Sequence, residues 1–315
     1  MAVGPLSDPG SGPYRDGLDS PEGDVMQRWV ISFDLDGVLL DDPLADTLFR
    51  EVIEDLARQI APRWGWPLER AIEEIRQRLG NRYRQLLRHP ATEVAAYNWE
   101  SHFHAVGQEL GAIHPVDLMG RLRAFFADGH PIACFPDAHV TLERLSGSGA
   151  RLIAVSNGYA CFQEPLLAAS GLRRYFDVVV TADRAGAAKP NPAIFRYAAS
   201  HVPGDRWIHV GDSLFHDVLG GVRAGVETIW LWRDMPEDLR RLAPTERVRE
   251  LEQPPLCEAL AIRMKREGAE EVPSLPRPDA VIAGLEELEE YLALGDGARI
   301  TEGRRDDGGP VDVGV

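Results

Sequence analysis

The sequence predicts an α/β fold: a doubly wound parallel sheet with an all-helical domain inserted after its first strand. Three observations predict it. The run Trp29–Phe33 is continuously apolar rather than alternating, as suits a strand covered on both faces in a parallel sheet. From Phe135 to Trp232, short β-branched runs alternate with helix-period segments. Between these regions, residues 43–131 carry helical periodicity with no strand pattern.

Taken in order, residues 1–26 are rich in Gly, Pro, Ser and Asp and read as a disordered tail, because so few apolar groups cannot offset the entropy of ordering. After the first strand, Asp41-Asp42-Pro43 reads as a helix start, and Leu44, Leu48, Val52, Leu56 and Ile60 recur every four residues. Pro67 opens a second helix that breaks near His89-Pro90. A third is expected from Thr92 to Leu110 and a fourth from Val116 to Phe126. The core then resumes as helix 137–145, strand 151–155, helix 163–169, strand 177–181, helix 192–200, strand 207–210, helix 218–224 and strand 228–232. Residues 234–275 break this rhythm, being charged and punctuated by proline, with one helix expected at 256–266; they read as an insertion. Strand 279–282 and helix 285–294 close the sheet, and residues 295–315 read as a second disordered tail.

A chain of 315 residues, 44% of them hydrophobic, can bury a large core. Its formal net charge of -16 argues against a nucleic-acid surface, which needs clustered Lys and Arg to displace counterions. The three cysteines, Cys134, Cys161 and Cys257, are widely spaced and read as reduced residues. With no apolar run of membrane-spanning length and no basic-then-apolar leader, the expectation is a soluble cytoplasmic protein with no membrane partner; the sequence leaves its oligomeric state open.

Chemistry concentrates where the first strand ends, at Asp34 and Asp36. Residues two apart on a strand project to one side, so two carboxylates share a small volume. Such a pair suits a Mg²⁺ site or an acid/base dyad, although strand-Asp-x-Asp-Gly is also an ordinary turn. Downstream follow Ser156-Asn157-Gly158, Lys189-Pro190-Asn191-Pro192 and Gly211-Asp212-Ser213-Leu214-Phe215-His216-Asp217, each at an expected strand end or helix start. Together with Asp34-Leu35-Asp36-Gly37-Val38, these segments resemble the four motifs of the haloacid dehalogenase superfamily, in that superfamily's order. The helical segment 43–131 is similar to the cap that one subgroup inserts between the first and second motifs.

The resemblance implies a Rossmann-like core and a Mg²⁺-dependent phosphatase acting on a small phosphomonoester, such as a sugar phosphate or nucleoside monophosphate. It implies Asp34 as nucleophile and metal ligand. Asp36 becomes the proton carrier and, through its backbone carbonyl, a metal ligand. Asp212 is a further ligand, Asp217 a ligand or an orienting group, Ser156 a phosphoryl-oxygen donor and Lys189 the neutralising cation. Asn157 and Gly158 are candidate substrate contacts. Arg84 and Arg88, with Arg82, are candidate contacts that could form a positive patch for an anionic substrate, though a solvated helix face is the expected reading. His216 lies in the last motif and could approach the site, but reads as a loop residue; Trp99, Phe103, Phe125 and Phe126 read as core of the helical segment rather than a substrate platform, and His102 and His104 as poor partners for one metal. Asp36 counts against dehalogenase chemistry, since the dehalogenases of the superfamily lack an acid there. A phosphomutase of the same superfamily and a non-catalytic scaffold on the same framework stand as alternatives.

Overall fold

The computed structural model describes residues 29–41, 44–127, 132–204, 206–272 and 274–298. The expected tail at 1–26, the tail beyond Ala298 and the helix start at Asp42-Pro43 lie outside the described residues. Strands β1 (Trp29–Phe33), β2 (Arg151–Ser156), β3 (Val178–Thr181), β4 (Arg206–Gly211), β5 (Glu227–Leu231) and β6 (Ala280–Ile282) form one sheet in the order β3-β2-β1-β4-β5-β6. Every pairing is parallel. The chain leaves β1 towards β2 and β3, then crosses back to β4 on the other side. The carboxyl ends of β1, β2 and β4 therefore meet at the point where the winding reverses, the usual ligand crevice of such sheets.

Burial explains the continuous apolar pattern of β1. Ile31 and Phe33 pack into a cluster with Leu142, Leu166 and Leu288 on one side, while Val30 joins Ile153, Val180, Ile194 and Phe195 on the other. Each such side chain, fully withdrawn from water, stabilises the fold by roughly 1.5–3 kcal/mol.

Between β1 and β2 lie α1 (Arg50–Trp64), α2 (Leu68–Leu87), α3 (Trp99–Leu110) and α4 (Leu118–Ala127). Their apolar faces, including Leu56, Ile75, Phe103 and Leu122, belong to the same cluster as Phe33. Leu44–Phe49 forms a π-helical turn ahead of α1. The single helix expected over 92–110 is two pieces, a 3₁₀ turn at Val94–Tyr97 and then α3. The break falls at Asn98, whose side chain accepts a hydrogen bond from Ser101 N (3.0 Å) and caps α3.

The remaining helices are α5 (Ala138–Gly147), α6 (Ala160–Ala169), α7 (Ala182–Ala185), α8 (Ala193–Ala199) and α9 (Leu219–Ala224). After β5 come α10 (Glu237–Arg240), α11 (Pro244–Glu250) and α12 (Leu256–Glu267), and α13 (Glu286–Ala298) ends the described chain, running into the stretch expected to be disordered. The charged 234–275 segment therefore has a core of its own: Met235, Leu239, Val248, Leu260 and Met264 close around Leu214, Val218 and Trp230. Buried Arg247 ties it to the sheet, donating to Val281 O (3.0 Å) and pairing with Glu287. Among the described residues, no helix is long and apolar enough to cross a membrane.

Candidate active site

Strand ends deliver the site's groups from three directions. Asp34 leaves β1 with its N–H bonded to Val210 O of β4 (2.9 Å). The turn that follows is closed by Gly37 N donating to Leu40 O (2.8 Å), with Gly37 at φ 80°. Any side chain there would be strained, and its Cβ would lie 2.7 Å from Asp212 Oδ2. Glycine is required because the Asp212 carboxylate occupies that space.

Lys189 is the electrostatic centre. Its buried ammonium donates to Asp34 Oδ1 (2.8 Å), Asp217 Oδ1 (2.7 Å) and Val155 O (3.0 Å), so all three protons are used. Burial alone would lower its pKa, but the carboxylates of Asp217 and Asp34 outweigh that and hold it above the ordinary lysine value. Burial pushes Asp217 up, and the Lys189 charge with the His209 hydrogen bond overcomes this and holds it below the usual carboxylate range. Asp34 and Asp212 move the other way: burial raises both, and the nearby Asp217 carboxylate adds to it.

Asn157 fixes the lysine's backbone. Its Nδ2 donates to Lys189 O (3.0 Å) and its Oδ1 accepts from Lys189 N (2.7 Å). Both ends of the amide are thus engaged with the lysine loop, although the residue also borders the cavity. Ser156 Oγ accepts from Gly158 N (3.0 Å), and Gln163 Nε2 donates to Asp36 Oδ2 (3.0 Å). From the helical segment, Glu93 Oε1 accepts from Asn191 Nδ2 (2.7 Å), holding the same loop from above.

Asp34, Asp212 and Asp217 place one carboxylate oxygen each within 4.8 Å of one another. A set of carboxylate oxygens suits a hard divalent cation, and Asp34 and Asp212, raised by burial and mutual repulsion, gain most from one. Asp217 differs: its Oδ1 serves Lys189 and His209, and its Oδ2 accepts from Ser213 N (3.0 Å). The donor set fits a metal, with Asp217 already committed to its neighbours.

Asp34, Asp36, Ser156, Asn157, Gly158 and Lys189 border one cavity of about 250 Å³. Asp212 and Asp217 stand beside it in the carboxylate cluster. The rest of its lining is Phe49, Tyr97, Trp99, Tyr159, Phe162, Gln163 and His216. Arg84 and Arg88 do not border it. They line a second cavity with Phe215, Arg223 and Lys265, and Arg88 pairs with Glu270 at 3.5 Å, both side chains being exposed.

Sequence reasoning missed several of these neighbours. Trp99, read as packing, borders the cavity while touching Phe49 (ring centroids 5.1 Å apart). His216, read as a loop residue, hydrogen-bonds Tyr97 Oη through Nε2 (3.2 Å), and burial lowers its pKa to about 4. Burial also raises the Tyr97 phenol well above its ordinary value, so the roof is uncharged near neutral pH. His209 is buried in β4, with Nε2 3.0 Å from Asp217 Oδ1 and Nδ1 2.9 Å from Ser32 Oγ. Its signal was available: a lone histidine in the apolar run Trp207–Val210. Nothing local marked Gln163, which reaches Asp36 across 127 residues of chain.

Known proteins resemble this chain in sequence and fold. The chain is 35% identical to the pyrimidine 5'-nucleotidase YjjG of Escherichia coli over 141 residues, 42% of this chain and 63% of that protein. It is 29% identical over 252 residues to a phosphoserine phosphatase of Thermus thermophilus, 73% of this chain and 99% of the relative. A HAD phosphatase structure from Thermococcus onnurineus superposes with a TM-score of 0.57 at 22% identity, covering 84% of this chain and 97% of the other, which shows a shared fold. A family model, haloacid dehalogenase-like hydrolase, matches residues 30–225, well over half of the sequence, so the chain belongs to the haloacid dehalogenase-like hydrolases.

Proposed function

We propose that the protein is a Mg²⁺-dependent phosphatase that hydrolyses a small phosphomonoester through an aspartyl-phosphate. The observation that carries this reading is Asp34 at the cavity floor, 2.8 Å from buried Lys189 and clustered with Asp212. An Asp34 oxygen attacks phosphorus as the bond to the substrate's alcohol oxygen breaks, and Asp36 gives that oxygen its proton. Water then attacks the phosphorylated Asp34, Asp36 takes the proton, and the phosphorus–Asp34 bond breaks. Lys189 neutralises phosphoryl oxygens, and the Ser156 hydroxyl, held by Gly158 N, donates to them together with the Asn157 N–H. Asp34, Asp212 and the Asp36 carbonyl would hold Mg²⁺, which supplies charge neutralisation at the phosphoryl group. Asp217 keeps Lys189 charged and aimed.

The rest of the cavity lining supports an uncharged, ring-bearing leaving group. Phe49, Trp99, Tyr159 and Phe162 offer apolar faces, and buried Gln163 Oε1 has no hydrogen-bond partner among the described residues. A carboxylate on the leaving group, as in phosphoserine, would be desolvated beside Asp34 and Asp36. This favours a nucleoside monophosphate, the class named for the E. coli relative, over phosphoserine. The test is a phosphomonoester panel scored for free phosphate with Mg²⁺ or with EDTA. Expected are release abolished by EDTA, at least tenfold higher kcat/KM for uridine 5'-monophosphate than for phosphoserine, and no turnover by Asp34→Asn. Turnover by Asp34→Asn at the wild-type rate would refute the nucleophile.

A further inference from the structure

The role of the 234–275 segment can be read from where its last helix ends. Four hydrogen bonds join α12 and β5 to the loop that carries Asp212. Asp212 O accepts from Arg263 Nη2 (2.9 Å) and from Trp230 Nε1 (2.8 Å). Glu267 Oε2 accepts from Ser213 Oγ (2.7 Å) and from Phe215 N (3.1 Å). Arg263 Nε and Glu267 Oε1 are themselves paired at 2.8 Å across one helical turn, which fixes the two side chains as a unit.

The loop needs partners from elsewhere. Asp34 inherits its position from the β1–β4 ladder, but beyond Gly211 the chain leaves the sheet for a π-helical turn, Leu214–Val218. Ser213 caps that turn by accepting from His216 N (2.9 Å) and lies 3.3 Å from His216 Nδ1, which leaves Phe215 N and Asp212 O to be met from outside the turn. Main-chain groups withdrawn from water destabilise a loop when left unpaired. Glu267 supplies the acceptor for Phe215 N, Arg263 joins Trp230 in donating to Asp212 O, and Leu260 and Met264 of the same helix pack on Leu214 and Val218. The carboxylate of Asp212, meanwhile, is pushed away from Asp34 and Asp217 by like charge. A loop so loaded holds its place only if something braces it.

We propose that α12 is that brace: Arg263 and Glu267 are positioning residues that hold the Asp212–Phe215 backbone where the Asp212 carboxylate can receive the cation. The inference rests on the reading of Asp34 and Asp212 as a cation site. Groups that orient metal ligands from outside the ligand set commonly change affinity 10–100-fold when removed.

The test is calorimetric titration of substrate-free protein with Mg²⁺, with amide hydrogen exchange followed in metal-free protein. Arg263→Ala and Glu267→Ala should each weaken Mg²⁺ binding about tenfold and speed exchange at residues 213–216. Arg263→Lys, which keeps one donor, should recover part of the affinity, and Arg266→Ala, at an exposed position on the same helix, should match wild type. Arg263 is 37% exposed, so its truncation opens no closed cavity. Glu267→Gln provides a milder second variant, in which faster exchange at 213–216 supports the brace. Wild-type affinity and wild-type exchange in both alanine variants would overturn the brace alone. An absence of Mg²⁺ binding in the wild type would overturn the cation site itself, and the positioning role with it.

Discussion

At the scale of residues, the candidate site is a balance of buried charge. Lys189 faces two carboxylates and a carbonyl, and Asp217 faces Lys189, His209 and Ser213 N. Removing one partner of such a group strands the other in a dry interior, at a cost of roughly 3–5 kcal/mol. Asp217→Ala should therefore destabilise by about that amount in urea unfolding, well beyond the effect of breaking the exposed Arg88–Glu270 pair. His216 gives a pH signature. Its folded pKa of about 4 lies below the ordinary histidine value, so the folded state binds fewer protons than the unfolded chain between about pH 6.5 and 4. Its contribution to stability therefore falls as pH drops through that window, by up to about 1.4 kcal/mol per unit, and is unaffected above it. In His216→Asn, unfolding midpoints measured at pH 7 and pH 5 should lie closer together than in wild type.

At the scale of elements, the sequence was most legible where period and burial agree. Continuous apolar runs located β1, β2 and β4 because both faces of a central parallel strand are covered, and each motif stands at the end of its strand. Helical periods located α1 to α4 by their buried faces. Breaks were harder to see: periodicity bridges 92–110, while the Asn98 cap divides it, because one side chain accepting from Ser101 N competes locally with helix continuation. Arg84 and Arg88 show the limit of charge patterning. Their spacing on α2 is the same whether the helix turns that face to the acids or to Lys265 and Arg223, and its packing gave the second result. The 234–275 segment was legible only as an irregularity, since its core is completed by Leu214, Trp230 and Val281 from distant parts of the chain.

At the scale of the whole molecule, clustered acids couple cation binding to folding. Asp34, Asp212 and Asp217 converge only in the folded chain, so the proposed Mg²⁺ would bind that state and not the unfolded one. At about 100 times its dissociation constant, Mg²⁺ should add about 2.7 kcal/mol of stability, seen as a rise in Tm. Asp212→Asn should lose that increment and, without Mg²⁺, melt no lower than wild type, because one repelling charge is gone. The sequence by itself determined the sheet class and the presence of Asp34, Asp36, Lys189 and Asp212 at strand ends and loop starts, since those follow from apolar period and local turn chemistry. Tertiary structure decided what surrounds them: aromatic side chains from both the helical segment and α6, Gln163 against Asp36, His209 behind Asp217 and α12 beneath the Asp212 loop. Those partners are many residues apart in the chain, and their meeting is set by the packing of whole elements, which no local pattern encodes.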